Sequence, residues 1–382
     1  MHYLTLASLL PLALAAPVIQ PRAAQLIPGS YIVKLKDGAS DTTLLNAIKG
    51  VRPNHIYRNS KFKGFSADLS SSALKTVQDL PEVDYIEQNA VYTINDLVTQ
   101  SANVPWGLAR ISHRAVNQSA YVYDASAGAG TCSYVIDTGI YVEHSQFEGR
   151  ATWLANFAGD NKASDGNGHG THVAGTIGGV DYGVAKKTQL FAVKVLNSGG
   201  SGTTAGVIAG MDFVTADAPT RSCPNGTVAN MSLGGSRSTA INAAAAAMVK
   251  AGVFLAVAAG NSDDDSTYYS PASEPTACTV GATDETDVRA WFSNYGSLVD
   301  IFAPGVDVLS SWIGSPNATE SISGTSMASP HIAGLAAYLL ALLGPKTPAA
   351  LCEYIKETAT KDALTSIPAD TVNALAFNGA TA

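Results

Sequence analysis

Three short segments hold the residues whose types and spacing could do chemistry. They are Asp137-Thr138-Gly139, then His169-Gly170-Thr171-His172, then Gly324-Thr325-Ser326-Met327-Ala328. A serine hydroxyl is a poor nucleophile until a base removes its proton; an imidazole can do so near neutral pH, and a carboxylate can hold that imidazole in the right tautomer. A fourth residue, Asn261 in Ala258-Ala259-Gly260-Asn261, carries an amide able to donate to an oxyanion. Each residue has a plainer role when taken alone: Asp137 and Asn261 as turn residues, Ser326 as a helix cap. His169 and His172 could share a metal at spacing i, i+3, but no Asp or Glu accompanies them as in HExxH. The conjunction of acid, imidazole and hydroxyl, in that chain order and each framed by glycine, favours nucleophilic catalysis. No GxSxG elbow surrounds Ser326, which argues against an esterase built on that motif.

Elements must hold these residues in place. Apolar β-rich runs at 133–136, 190–195, 228–233, 253–258 and 278–280 alternate with helical stretches at 172–178, 204–216 and 241–251, and a further apolar helical run spans 332–343. Continuous apolar strands separated by helices predict an α/β fold with a parallel sheet buried on both faces. Asp137 and Asn261 then fall just past strand ends, where open α/β sheets bind ligands. His169 would lie at a helix start and Ser326 ahead of the last helical run, where free N–H groups can receive an oxyanion.

The composition changes near residues 95–105. Before it lies a small, fairly charged unit with a strand at 31–35, helices at 41–49 and 71–79 and strands within 83–94, predicting a small α+β domain. After it the chain is rich in Gly, Ala and Ser. The expected organisation is a signal peptide over 1–15, a propeptide over 16–96 and a peptidase domain over 97–382. The apolar run Leu4–Leu14 is too short to span a bilayer, and Ala13-Leu14-Ala15 fits a small-x-small cleavage site, although the n-region has no Lys or Arg. A hydrophobic content of 46% with 14% charged residues describes a core-rich globule and excludes a disordered chain. A formal net charge of -8 argues against nucleic acid and anionic membranes as partners. The four cysteines, Cys132, Cys223, Cys278 and Cys352, form no CxxC pair; in an exported protein they predict disulfides, with three pairings open.

At this point longer motifs become informative. Pro105-Trp106-Gly107-Leu108-Ala109-Arg110-Ile111-Ser112, Tyr182-Gly183-Val184-Ala185, Ser270-Pro271-Ala272-Ser273-Glu274-Pro275 and Phe292-Ser293-Asn294-Tyr295-Gly296, with the Asp–His–Ser order, resemble fungal subtilisin-like serine proteases of the proteinase K group, close to the cuticle-degrading enzymes. The likeness covers nearly all of residues 103–378, and residues 27–94 resemble the inhibitory propeptide of that family, a ferredoxin-like α+β domain. The resemblance implies Ser326 as nucleophile, His169 as general base and acid, Asp137 as its orienter, and Asn261 with the Ser326 N–H as oxyanion hole. It implies that Ser232-Leu233-Gly234 and Ala258-Ala259-Gly260 line the primary pocket, whose small apolar walls suit cleavage after hydrophobic and aromatic residues. Gly199-Gly200-Ser201-Gly202 would pair with substrate as a strand edge.

The same resemblance implies disulfides Cys132–Cys223 and Cys278–Cys352, no catalytic cofactor, and one structural calcium on the Pro275 and Ala277 carbonyls with Asp300. A second, weaker ion site of relatives is altered here, with Arg114 and Ala363 at the matching positions, and none is expected. Asp263-Asp264-Asp265 reads as a solvated loop. Val173 stands where many relatives have a cysteine, so thiol sensitivity is not expected, and Thr204 replaces an aromatic over the outer subsite. Sequons occur at Asn117, Asn225, Asn230 and Asn317, with Asn230 expected to be buried. The implied protein is a secreted monomeric endopeptidase acting on proteins and peptides, held by its own propeptide and freed by self-cleavage between Ile94 and Ser101, near Asp96–Leu97. Vacuolar retention uses the same type of signal. The competing function is an inactive subtilisin fold kept for binding, which an altered Asp, His, Ser or Asn would signal; none is altered.

Overall fold

The computed structural model describes residues 15–21, 26–91 and 97–380. The signal segment up to Leu14, the beginning of the expected cleavage region from Ile94 to Asp96, and the last two residues lie outside the described residues. The chain divides into two compact units, before and after the junction at residues 94 and 95.

The first unit runs β1 (Val18–Ile19), β2 (Leu26–Leu35), α1 (Asp41–Ala47), β3 (Pro53–Asn59), β4 (Phe62–Asp68), α2 (Ser71–Gln78) and β5 (Val83–Ala90). Its sheet order is β1-β5-β2-β4-β3, with β5, β2, β4 and β3 antiparallel to their neighbours and β1 parallel to β5. Without β1 this is the ferredoxin-like βαββαβ arrangement. The hairpin β3–β4 was not legible as strands, because Asn54, His55, Arg58 and Lys63 dilute the alternation of apolar residues. Both helices start where a serine side chain accepts from the first turn: Ser40 from Thr43 N–H and Ser70 from Ala73 N–H. Val33, Leu35, Leu44, Phe65, Val77 and Ile86 form the core under the sheet.

The second unit opens with β6 (Leu97–Gln100), α3 (Trp106–Ile111), β7 (Tyr121–Asp124), β8 (Thr131–Asp137) and β9 (Ala151–Asn156), followed by α4 (His169–Gly178), β10 (Gln189–Lys194) and α5 (Thr204–Asp217). It continues with β11 (Gly226–Met231), β12 (Gly235–Ser236), α6 (Thr239–Lys250), β13 (Phe254–Ala258), β14 (Tyr269–Ser270), β15 (Cys278–Thr283) and β16 (Ile301–Pro304). It ends with β17 (Val308–Ser311), β18 (Thr319–Ile322), α7 (Thr325–Leu343), α8 (Pro348–Thr358), β19 (Thr360–Lys361) and β20 (Ala374–Leu375). The main sheet has nine strands in the order β19-β20-β16-β15-β13-β11-β8-β10-β9, all parallel except β19.

Alternation along β8 shows how both faces are covered. Val135 joins the core with Val173 and Ile177 of α4 and Leu335 of α7, while Tyr134 and Ile136 join the core with Met211 of α5 and Ala245 of α6. The chain places β10 on one side of β8 and β11 on the other, so a crevice opens past the carboxyl ends of β8 and β11. Two disulfides, Cys132–Cys223 and Cys278–Cys352, are the pairs the resemblance implies. Helix α7 is long and apolar enough to cross a bilayer by composition, but its side chains from Met327 to Leu340 are buried in this unit.

Candidate active site

Asp137 ends β8 and is fully buried. Its Oδ1 accepts from the Thr138 N–H at 2.7 Å and from His169 Nδ1 at 2.7 Å. That bond fixes the tautomer: with the proton on Nδ1, Nε2 is left with its lone pair. His169 is the first residue of α4, three residues earlier than the apolar pattern suggested. The helix comes this close to β8 because position 170 is glycine; a Cβ there would collide with the Gly139 carbonyl.

Asp165 ties the approach to this helix. Its Oδ1 accepts from Thr138 Oγ1, Asn167 N–H and Gly168 N–H, each at 2.9 Å, and its Oδ2 accepts from Thr171 N–H at 3.0 Å and Thr171 Oγ1 at 2.6 Å. The fully buried Lys194 ammonium donates to the Thr138 carbonyl at 2.8 Å and to the Leu196 carbonyl at 2.6 Å.

Two histidines on one helix are shifted in opposite directions. Burial drags the His169 imidazolium down, but the Asp137 carboxylate, by charge and by hydrogen bond, and Asp165 behind it hold its pKa above the ordinary histidine value. His172 has no such partner. Burial pushes it down to about 4, and its Nε2 bonds the Val308 carbonyl at 2.9 Å. The ring lies in the core, so the two histidines do not form a metal pair.

Ser326 sits in the first turn of α7, inside the helix rather than ahead of it. Pro330 has no N–H to give the Ser326 carbonyl, and Ser232 Oγ supplies the missing donor at 2.7 Å. In return Ser326 Oγ donates to the Ser232 carbonyl at 3.1 Å. The Asn230 amide lies 2.8 Å from Ser232 Oγ and 2.7 Å from Ser329 Oγ with no exposure, so its sequon is out of reach in the folded unit. Asn117 and Asn317 are exposed.

Asn261 is held by the same helix start. Its Oδ1 accepts from the Thr325 N–H at 2.8 Å and from Thr325 Oγ1 at 2.9 Å, and Thr325 Oγ1 accepts from the Gly260 N–H at 3.1 Å. With the oxygen committed, the amide nitrogen is the free end. Asn294 braces the loop by donating to the Ala259 carbonyl at 2.9 Å and accepting from the Ser262 N–H at 2.9 Å. A Cβ at position 260 would strike that Asn294 amide, and φ there is +110°.

Two depressions flank these groups. A cleft of about 610 Å³ runs past His169, Gly200, Ser201, Gly202, Thr204 and Val207. A smaller pocket of about 200 Å³ is walled by Leu233, Gly234, Ala258, Ala259 and Gly260, with Asn261 and Ser326 on its rim and no charged residue in its lining. Ser232 lines the larger cleft, and Gly199 belongs to neither lining. Asp165, Lys194, Thr325 and Asn294 are supports whose roles the sequence did not disclose.

Elsewhere, Asp300 Oδ2 accepts from the Thr279 N–H at 2.9 Å, which puts its carboxylate at the start of β15, just after Pro275 and Ala277. Asp263 pairs with Arg289 at 2.9 Å and Asp265 caps a short helix at Thr267, so the acidic run forms a braced turn. Among the described residues the one cluster with metal-ligand spacing is Cys278, Asp300 and Cys352, whose two sulfurs are spent in a disulfide.

Comparison with known proteins adds family context to this geometry. Residues 128–375 match the model of the subtilase family, and residues 30–95 match that of the peptidase inhibitor I9 domain. A cuticle-degrading protease of Metarhizium anisopliae is 53% identical, with 100% of each chain covered. Proteinase R of Parengyodontium album is 52% identical over 95% of this chain and 92% of its own. Among solved structures, a cold adapted subtilisin-like serine proteinase is 42% identical, with a TM-score of 0.69 over 73% of this chain and 100% of that one.

Proposed function

The chain belongs to the subtilase family and is a serine endopeptidase with an I9 propeptide domain, and from that premise we propose that Ser326, His169, Asp137 and Asn261 carry its reaction. The observation that carries this reading is the 2.7 Å bond from His169 to the buried Asp137. It leaves Nε2 as the free base beside a cleft whose neighbouring pocket is rimmed by Ser326 and Asn261.

Rotation of the Ser326 side chain away from the Ser232 carbonyl delivers its proton to His169 Nε2 as Oγ attacks the scissile carbonyl. The Asn261 amide nitrogen and the Ser326 N–H receive the oxyanion. His169 then protonates the leaving amine, and water hydrolyses the acyl-enzyme by the same relay. Gly199-Gly200-Ser201-Gly202 pairs with extended substrate, and the uncharged pocket takes a hydrophobic or aromatic side chain on the acyl side.

The precursor is exported after a cut behind Ala15 and processes itself near Asp96–Leu97, yielding an extracellular monomer. Calcium would be held by the Pro275 and Ala277 carbonyls with Asp300, hard oxygen donors that suit it, and would supply rigidity rather than chemistry. The test is intact mass and N-terminal sequence of wild-type and Ser326→Ala proteins from one secreting host. A wild type beginning near residue 97, beside a mutant still carrying its propeptide and with activity down on the order of 10⁶-fold, is expected. Identical maturation of both would assign the cut to another protease, and full activity in Ser326→Ala would overturn the mechanism.

A further inference from the structure

Helix α8 is fastened to the start of β15 by Cys278–Cys352. One turn further along α8, Lys356 Nζ lies 3.2 Å from Asp300 Oδ1 and 2.8 Å from Glu353 Oε1. The other oxygen of Asp300 is the one that accepts from the Thr279 N–H. Both carboxylate oxygens are therefore engaged, one by a backbone donor and one by an ammonium. The pair is mostly shielded from water, with side-chain exposures of 27% for Lys356 and 23% for Asp300.

A divalent ion on the Pro275 and Ala277 carbonyls and Asp300 would meet this ammonium at the same carboxylate. Two cations cannot share one carboxylate without repulsion, which is strong where solvent screening is partial. The far end of α8 shows the same device: the Arg114 guanidinium donates to the Thr358 carbonyl at 3.1 Å and the Ala359 carbonyl at 3.2 Å, and stacks 4.1 Å from the Phe377 ring centroid. Side-chain cations thus anchor α8 at two points.

We propose that Lys356 is a built-in counter-cation that competes with calcium for Asp300. It keeps α8 anchored to β15 when the ion is absent and weakens the site's hold on the ion when it is present. The competition rests on the calcium reading given above; the anchoring does not. The lysine's second partner, Glu353, gives it somewhere to go when calcium enters, so displacement need not expose an unpaired charge.

The experiment uses the full chain carrying Ser326→Ala, to prevent self-digestion, with and without Lys356→Gln or Lys356→Arg. Calcium affinity is measured by titration calorimetry after chelation, and Tm by scanning calorimetry in chelator and in excess calcium. Lys356→Gln is expected to bind calcium about tenfold more tightly. Its Tm should be lower than the parent's in chelator and rise more on adding calcium. Lys356→Arg, which keeps the charge, should stay near the parent and shows that a folding defect is not the cause. Calcium binding of equal affinity in the parent and Lys356→Gln overturns the competition and leaves the calcium reading standing. No calcium binding by either overturns the calcium reading and the competition with it. An unchanged Tm in chelator for Lys356→Gln overturns the anchoring.

Discussion

The proposed site has two halves that are built from different materials. The proton-handling half, Asp137 and His169 with Asp165 behind them, is held by ionic charge in a buried setting. The oxyanion half, Asn261, Thr325 and the first turn of α7, is held by neutral donors and acceptors. In the proposed reaction, charge is concentrated where a proton moves and a cation forms on His169. Fixed dipoles stand where negative charge appears and disappears within one turnover, and a permanent cation there would also bind the ground state. The two halves should therefore fail differently: damage to the first should move the pH profile, and damage to the second should lower the rate and leave the profile in place.

The largest effect beyond loss of the nucleophile is expected from Asp137→Asn. Its amide would favour the wrong tautomer of His169 and remove the charge that stabilises the imidazolium, for a loss of about 10⁴-fold in kcat. The base must be neutral to act, so wild-type activity rises with pH through the pKa of His169. Because Asp137 holds that pKa above the ordinary histidine value, the acid limb of kcat/KM should lie above that value in wild type. It should move to lower pH in Asp137→Asn, because burial alone lowers the pKa. A pH–rate profile of both proteins on one peptide substrate checks this. A limb that stays in place would separate the limb from His169.

Asn261→Leu probes the other half. Loss of one preorganised donor is expected to cost about 10²- to 10³-fold in kcat. KM and the position of the acid limb should hardly change, because the donor acts on charge that develops only in the transition state. A large rise in KM with kcat preserved would instead make Asn261 a ground-state contact.

In both halves the chain discloses the reacting residues and conceals the groups that hold them. Asp137, His169, Ser326 and Asn261 stand in glycine-framed segments whose residue types announce their chemistry. Their supports do not. Asp165 and Lys194 act through hydrogen bonds to loops that the fold brings together, and no local pattern distinguishes them from surface charges. The apolar pattern marks the last helical run only from Ile332, because Thr325, Ser326, Ser329 and Pro330 interrupt it with polar residues and a proline. The helix instead begins at Thr325 and tolerates the proline, because Ser232 replaces the lost donor at the Ser326 carbonyl. The parallel sheet was legible from its apolar runs, whereas Ala151–Asn156 was not; as an edge strand it is half-exposed and mixes Asn, Thr and Ala.

Thr325→Val gives the smallest and most selective break. Valine matches threonine in shape and keeps the backbone N–H that donates to Asn261 Oδ1 at 2.8 Å. It removes the hydroxyl that donates to the same oxygen at 2.9 Å and strands the Gly260 N–H that the hydroxyl accepts at 3.1 Å. Two hydrogen bonds of ordinary strength are lost, but the position of Asn261 is only loosened, so a fall in kcat of about tenfold is expected. If Thr325 works by aiming the Asn261 amide, Thr325→Val combined with Asn261→Leu should cost no more than Asn261→Leu alone, since nothing remains to be aimed. Additive losses would mean instead that Thr325 supports the pocket wall at Gly260 independently of the oxyanion donor.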